Sequence, residues 1–322
     1  MKAIVQDKFG SADALELRDV PDPVVGENDV LVQVRAAGCG PDVWHIMAGK
    51  PYLVRLMPEL RKQMRAVRGW DVAGQVEAAG ANVTAFRPGD EVMGAVDGSF
   101  AELAVGTEEN LVHKPANISF EQAAAAPVSG YSALQALRLA DVQLGQSVLV
   151  IGAAGGVGTL TVQIAKAWGA RVTAVCSGPK ANLVRSLGAD DVIDYTREDF
   201  TDGGRHWDVI IDTAGRRPLR RLRRALTQKG TLVIVGGDGG GNWTGGFGRQ
   251  MLRAPLMSLF SGQRLLPLTA KRDRDDLEAL RKLIEDGKVT PVADRTFGLP
   301  EASDAVRLLE QGHASGKIVV MV

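Results

Sequence analysis

The chain has 322 residues, with 38 basic and 38 acidic side chains and a 45% hydrophobic fraction. That length suits two domains, and zero net charge argues against a chain-wide affinity for nucleic acid or an anionic membrane. The two cysteines, Cys39 and Cys176, exclude a disulfide framework and a four-thiolate zinc site, and no apolar run nears the roughly 20 residues that span a bilayer.

The first residues, Met1 to Gln6, read directly as a strand with no signal segment, which leads us to expect a cytoplasmic protein. Residues 1 to about 122 are β-rich. Val30 to Ala36 alternates in part, Asp71 to Ala78 reads as a strand bent at Gly74, and Pro88-Gly89-Asp90 is a turn before another strand. Short strands separated by turns predict a small barrel.

From about residue 123 the period changes, and helices and strands alternate. The pattern predicts helices at 130–140, 158–168, 180–187 and 218–227. It predicts strands at 147–152, 171–176, 191–194, 207–212, 230–236 and 264–270. That is the signature of a doubly wound parallel sheet. Asp273 to Asp286 is amphipathic, with Leu277, Leu280 and Ile284 on one face; a helix at 300–311 and a strand at 317–322 close the chain. We expect this tail to return to the first domain, which gives one domain of 1–122 with 271–322 and a second of 123–270.

The segment with most chemical content is Val148 to Gly158. An apolar, β-branched run enters a turn with Gly152, Gly155 and Gly158, and a helix follows. Strand, glycine turn and helix form the geometry that seats a dinucleotide pyrophosphate on a helix N-terminus, here at Ala154, Gly155, Gly156 and Val157. The spacing is G-x-x-G-x-x-G rather than G-x-G-x-x-G, so a plain tight turn is the competing reading. The next strand ends at Cys176. NAD-specific folds place an acid there to bind the ribose hydroxyls, but this chain has Ser177-Gly178-Pro179-Lys180. Ser177 and Lys180 suit a 2′-phosphate, so NADPH is the expected cofactor. Asp212 precedes Thr213-Ala214-Gly215, a loop expected beneath the cofactor. The glycine-rich run starting at Gly236 reads either as a turn beside the nicotinamide or as a surface loop.

The chain resembles the zinc-independent medium-chain dehydrogenase/reductases, quinone oxidoreductase (zeta-crystallin-like) branch. The residues that carry the likeness are Gly69 to Gly74, Phe86 to Val92, Ala153 to Gly158, Leu187 to Asp190, Val192 to Tyr195 and Gly316 to Val319. The resemblance implies an α/β fold of a GroES-like β-barrel catalytic domain plus a Rossmann domain, a homodimer formed through the latter, and no metal. Of the zinc ligands in related enzymes, the histidine position holds Trp70 and a cysteine position holds Gly40. Without a Lewis acid, the implied chemistry is hydride transfer from NADPH to a quinone or an α,β-unsaturated carbonyl. The resemblance sets Ser132 near the nicotinamide, Tyr195 beside the adenosine phosphate, Lys317 among the cofactor contacts and Tyr52 at the mouth of the active site. Many quinone reductases have asparagine where this chain has Gly40, so a polar contact is missing here.

Several residues allow a structural reading beside the functional one. Cys39 is either a weak proton donor or a small buried hydrophobe. Tyr52 offers a phenol to an enolate or is a surface aromatic, and His45 is more readily structural than a relay. Segments 44–66 and 239–262, with Met57, Met64, Met251, Met257 and Phe260, predict an apolar pocket. Arg216, Arg217, Arg220, Arg221, Arg223 and Arg224 read as a solvated basic face. The alternative is a cofactor-binding protein of little turnover that serves as an RNA-binding or scaffold subunit, and RNA binding is the less favoured reading.

Overall fold

The computed structural model describes residues 1–50, 67–202, 204–236, 245–258, 262–312 and 314–322. They form two compact units, Met1–Tyr131 with Arg272–Val322, and Ser132–Lys271.

In chain order the first unit begins with β1 (Lys2–Val5), β2 (Glu16–Asp19), β3 (Asp29–Cys39) and α1 (Pro41–Ala48). It continues with β4 (Asp71–Ala79), β5 (Glu91–Ala95), β6 (Leu103–Thr107), β7 (Leu111–His113) and α2 (Phe120–Ala124). Helix α3 (Pro127–Ala140) follows, and the second unit adds β8 (Ser147–Ile151), α4 (Gly156–Ala167), β9 (Arg171–Cys176), α5 (Ala181–Ser186) and β10 (Asp191–Asp194). Next come β11 (Trp207–Asp212), α6 (Leu219–Arg224), β12 (Leu226–Ile234), α7 (Gly245–Ser258) and β13 (Arg264–Pro267). The tail consists of α8 (Arg274–Glu285), β14 (Ala293–Gly298), α9 (Ala302–Glu310) and β15 (Lys317–Met321).

The sheet of the first unit is ordered β14-β15-β3-β4-β5-β7, with β6 also on β3. Strand β3 is its hub. It pairs antiparallel with β4, where Gly38 faces Asp71, and with β15, where Cys39 faces Ile318. Alternating residues of β3, including Val30, Val32 and Val34, fill a core shared with Val72, Phe100 and Val320. Ser119 and Gln122 form a reciprocal capping box on α2. The Asp273 side chain accepts the Asp276 amide and starts α8, whose buried Leu277, Leu280 and Ile284 form the apolar stripe.

The sheet of the second unit is ordered β10-β9-β8-β11-β12-β13, and every pairing is parallel. The continuous run Val148-Leu149-Val150 is fully buried, as a strand covered on both faces requires. The chain winds outward from β8 to β10, then returns to β11 on the other side of β8. The topological switch point therefore lies between the ends of β8 and β11, where such folds bind ligands. Among the described residues, no helix is long and apolar enough to cross a membrane.

Candidate active site

At the switch point, β8 ends in Gly152, a positive-φ position (78°). The amides of Gly152 and Ala153 both donate to the Val175 carbonyl at 3.1 Å, which ties the turn to β9. Gly155 is the N-cap of α4 and no side chain caps it, while the first backbone bond, Thr159 N–H to the Gly155 carbonyl, closes one turn later. The first-turn amides of α4 thus lack intrahelical acceptors and face outward at the positive end of the helix dipole. At Gly158 a Cβ would collide with the Gly152 carbonyl and lie 2.7 Å from the Ala153 Cα, so only glycine lets the helix sit this close to the strand. An uncapped helix end behind a turn of glycines and alanines fits a pyrophosphate. Ala154, buried at 3% exposure, lines the same turn.

The floor of this cradle comes from β11. Thr213 donates its amide (3.1 Å) and its hydroxyl (2.8 Å) to the Ile151 carbonyl, and its Oγ1 fills the space where Gly152 would carry a Cβ. Asp212 shapes that loop. Its Oδ1 accepts the amides of Ala214 and Gly215, each at 3.0 Å. The other oxygen is buried with no hydrogen-bond partner, and burial pushes the carboxyl up to about 6. Gly236 follows β12, whose end is fixed by the Val235 amide bonding the Asp212 carbonyl at 2.9 Å; residues 237–244 lie outside the described residues.

The β9–β10 pairing, Cys176 opposite Asp194, brings Ser177, Lys180 and Tyr195 to one corner. Ser177 opens a 3-10 turn over Gly178–Lys180, Lys180 is half-buried, and Tyr195 is 50% exposed. The structure adds a carboxylate that the sequence argument missed. Asp194 reaches across from β10 to the Gly178 amide, and its Oδ1 accepts the Thr196 amide and hydroxyl at 3.0 and 2.7 Å. These bonds hold its carboxyl below the usual range. Asp194 comes from the neighbouring strand, so the residues that follow β9 carry no sign of it.

In the first unit, Cys39 is wholly buried in the core, and burial raises its thiol to about 12. That burial matches the reading of Cys39 as a small buried hydrophobe. Lys317, set by resemblance among the cofactor contacts, is also buried, and its ammonium ends 2.7 Å from the Asp71 Oδ2. Tyr52, Met57, Met64 and Phe260 lie outside the described residues, whereas Met251 and Met257 pack against the second unit's core. Trp70 packs on the core of the first unit. Among the described residues, no group of three or more His, Cys, Asp or Glu side chains could hold a metal ion. Ser132 lies on α3, one residue after Tyr131, whose hydroxyl is buried with no partner.

Two family profiles match, "Alcohol dehydrogenase GroES-like domain" over residues 26–116 and "Zinc-binding dehydrogenase" over 187–320. The chain is 32% identical to an Arabidopsis thaliana chloroplast envelope quinone oxidoreductase homolog, covering 99% of this chain and 98% of that one. This chain belongs to the medium-chain dehydrogenase/reductases, in their quinone oxidoreductase group. The solved quinone oxidoreductase of Coxiella burnetii superposes on this member of the group with a TM-score of 0.87 at 31% identity, covering 100% and 99% of the two chains. The Arabidopsis thaliana NADPH-dependent alkenal/one oxidoreductase is 35% identical, with 99% of this chain and 79% of that one covered. Membership makes the chain an oxidoreductase that uses a nicotinamide cofactor.

Proposed function

We propose that this chain is an NADPH-dependent reductase that passes hydride to a quinone or an α,β-unsaturated carbonyl without a metal. The observation that carries this reading is the cradle itself, a turn of glycines and alanines packed on Thr213 at the head of an uncapped helix, with Ser177, Lys180 and Tyr195 at one corner of the same sheet end. When bound, the cofactor supplies the hydride.

The chain's own residues then hold, orient and select. The amides of Gly156 and Val157 meet the pyrophosphate at the positive end of α4. Lys180 donates as a point charge to the 2′-phosphate, with the hydroxyls of Ser177 and Tyr195 beside it. Asp194 works against a second negative charge at this corner, and its bonds to Gly178 and Thr196 blunt that effect by spreading its charge onto amide and hydroxyl hydrogens. Asp212 keeps Thr213 under the turn, and Gly236 closes the same sheet end. Ser132 on α3 would orient the nicotinamide. Tyr52 is the candidate hydrogen-bond donor to the acceptor oxygen, and water supplies the proton if Tyr52 does not. Association into a homodimer would use the second unit, whose edge strand β13 pairs only with β12 among the described residues.

Reduction of a short enone with cofactor deuterated at the transferring position should place deuterium at the β-carbon of the product. A reduced product without deuterium at that carbon would remove this reading.

A further inference from the structure

Two strands flank β3, and each contributes one charge to a buried ion pair. Lys317 begins β15 and Asp71 begins β4, and their side chains meet at 2.7 Å with 4% and 1% exposure. The chain is open at the end of β3 because glycine stands on either side of Cys39. A Cβ on Gly38 would lie 2.8 Å from both Cβ and Oδ2 of Asp71, and one on Gly40 would lie 2.7 Å from the Lys317 Nζ and collide with the Asp42 Oδ1. The side chain missing at position 40 is thus replaced by an ammonium and a carboxylate.

The pair does not end there. Asp71 Oδ1 accepts the Val128 amide at 2.6 Å, in the first turn of α3. That amide is one a helix cannot satisfy internally, so the carboxylate caps α3 from a neighbouring strand. Residue 131 follows 128 at i+3 on the same face, and the Tyr131 phenol lies within electrostatic reach of Asp71 as well as of Arg272 and Asp273. The charged and titratable groups around Asp71 are therefore Lys317, Asp42, Cys39 and Tyr131. A buried pair adds little net stability beside an apolar replacement, which leaves specific placement as the reason to keep one.

We propose that Asp71 and Lys317 are positioning residues for the reductase site: their pair, slotted across Gly38 and Gly40, fixes the amino-terminal turn of α3 through the Val128 amide, and with it Ser132 and Tyr131. The inference rests on the proposed role of Ser132 beside the nicotinamide. Burial pushes the Asp71 carboxyl up, and the ammonium of Lys317 2.7 Å away pulls it back toward the ionised form, the stronger acceptor for the amide.

Lys317→Met removes the counter-charge, so Asp71 takes up a proton at higher pH and its hold on Val128 becomes pH-dependent. In that variant, hydrogen exchange of the segment 127–132 should speed up, and kcat should fall about ten-fold or more with a new ionisation in its pH profile. Asp71→Asn added to Lys317→Met restores a neutral acceptor for Val128 without a buried charge. It should return the exchange and most of kcat and flatten the profile. A Lys317→Met protein with wild-type exchange at 127–132 overturns the clamp. Faster exchange with wild-type kcat, KM and pH profile overturns its role in the reaction, even if Tm falls. If the wild-type protein reduces no acceptor, the functional reading fails; cofactor affinity by fluorescence titration then decides, and a Lys317→Met protein that binds NADPH as tightly as wild type overturns the inference.

Discussion

Asp212 should make the stability of this protein depend on pH in a direction opposite to that of most carboxylates. Its side chain is 1% exposed, one oxygen holds two loop amides and the other has no partner. Burial pushes its carboxyl from 3.8 to about 6. A raised carboxyl favours the protonated native state, so the stability it contributes is full below the unfolded value and is lost as pH rises through the folded one. The shift of about two units corresponds to about 3 kcal/mol across the whole window, with roughly half of it between pH 5 and 8. In Asp212→Asn the neutral amide can still accept from Ala214 and Gly215, but nothing titrates. Urea unfolding of the ligand-free wild type and variant should show the variant gaining stability relative to wild type as pH rises from 5 to 8, by about 1.5 kcal/mol. The difference between the two, rather than either value alone, is the quantity that matters, because the other titrations cancel and the offset from the new amide N–H is constant. A difference that stays flat across this range would mean that Asp212 is an ordinary ionised carboxylate, and the argument from its orphaned oxygen would be wrong.

Gly158→Ala should abolish the quenching or enhancement of NADPH fluorescence on binding and cost about 1–3 kcal/mol in unfolding, because its Cβ collides with the Gly152 carbonyl. Lys180→Ala should raise KM for NADPH about ten-fold and leave KM for NADH nearly unchanged in steady-state assays; equal losses for both would refute the 2′-phosphate assignment. Arg217, just before α6, and Arg221 on it are both engaged by Asp199 at 2.5 and 2.8 Å, and Arg217 also lies over the Phe200 ring. Filter binding should therefore find no RNA retention by this face at physiological salt. Retention that Arg220→Glu with Arg224→Glu removes would revive the binding-protein alternative.

The second unit was largely legible because a parallel sheet announces itself. Buried strands read as continuous apolar runs, and the glycine turn after Ile151 marks the point where helix and strand approach most closely. The strands at 171–176, 191–194 and 207–212 appear as expected, whereas the strand predicted over 264–270 covers only Arg264–Pro267. Helix α7 falls in a stretch read as a pocket loop: it contains Pro255 and starts with two glycines, so local propensity hides it. Strand β14 carries Asp294 and Arg295 with little alternation, and only its pairing to β15 makes it a strand. Within the candidate site, contributions along one segment were readable and contributions across strands were not. Ser177 and Lys180 follow their strand directly. Asp194 enters from β10, and the roles of Asp71 and Lys317 exist only because β4 and β15 flank β3. One signal was available: Asp71 opens the buried strand Val72-Ala73-Gly74, and a buried acid requires a partner.

The most direct measurement follows loss of nicotinamide absorbance when the protein is mixed with NADPH or NADH and either an ortho-quinone or a short enone. Rapid loss with NADPH and slow loss with NADH is the predicted result, and the faster acceptor then identifies the substrate class. Tight NADPH binding with no absorbance loss against any acceptor would contradict the account and make the chain a cofactor-binding protein without turnover.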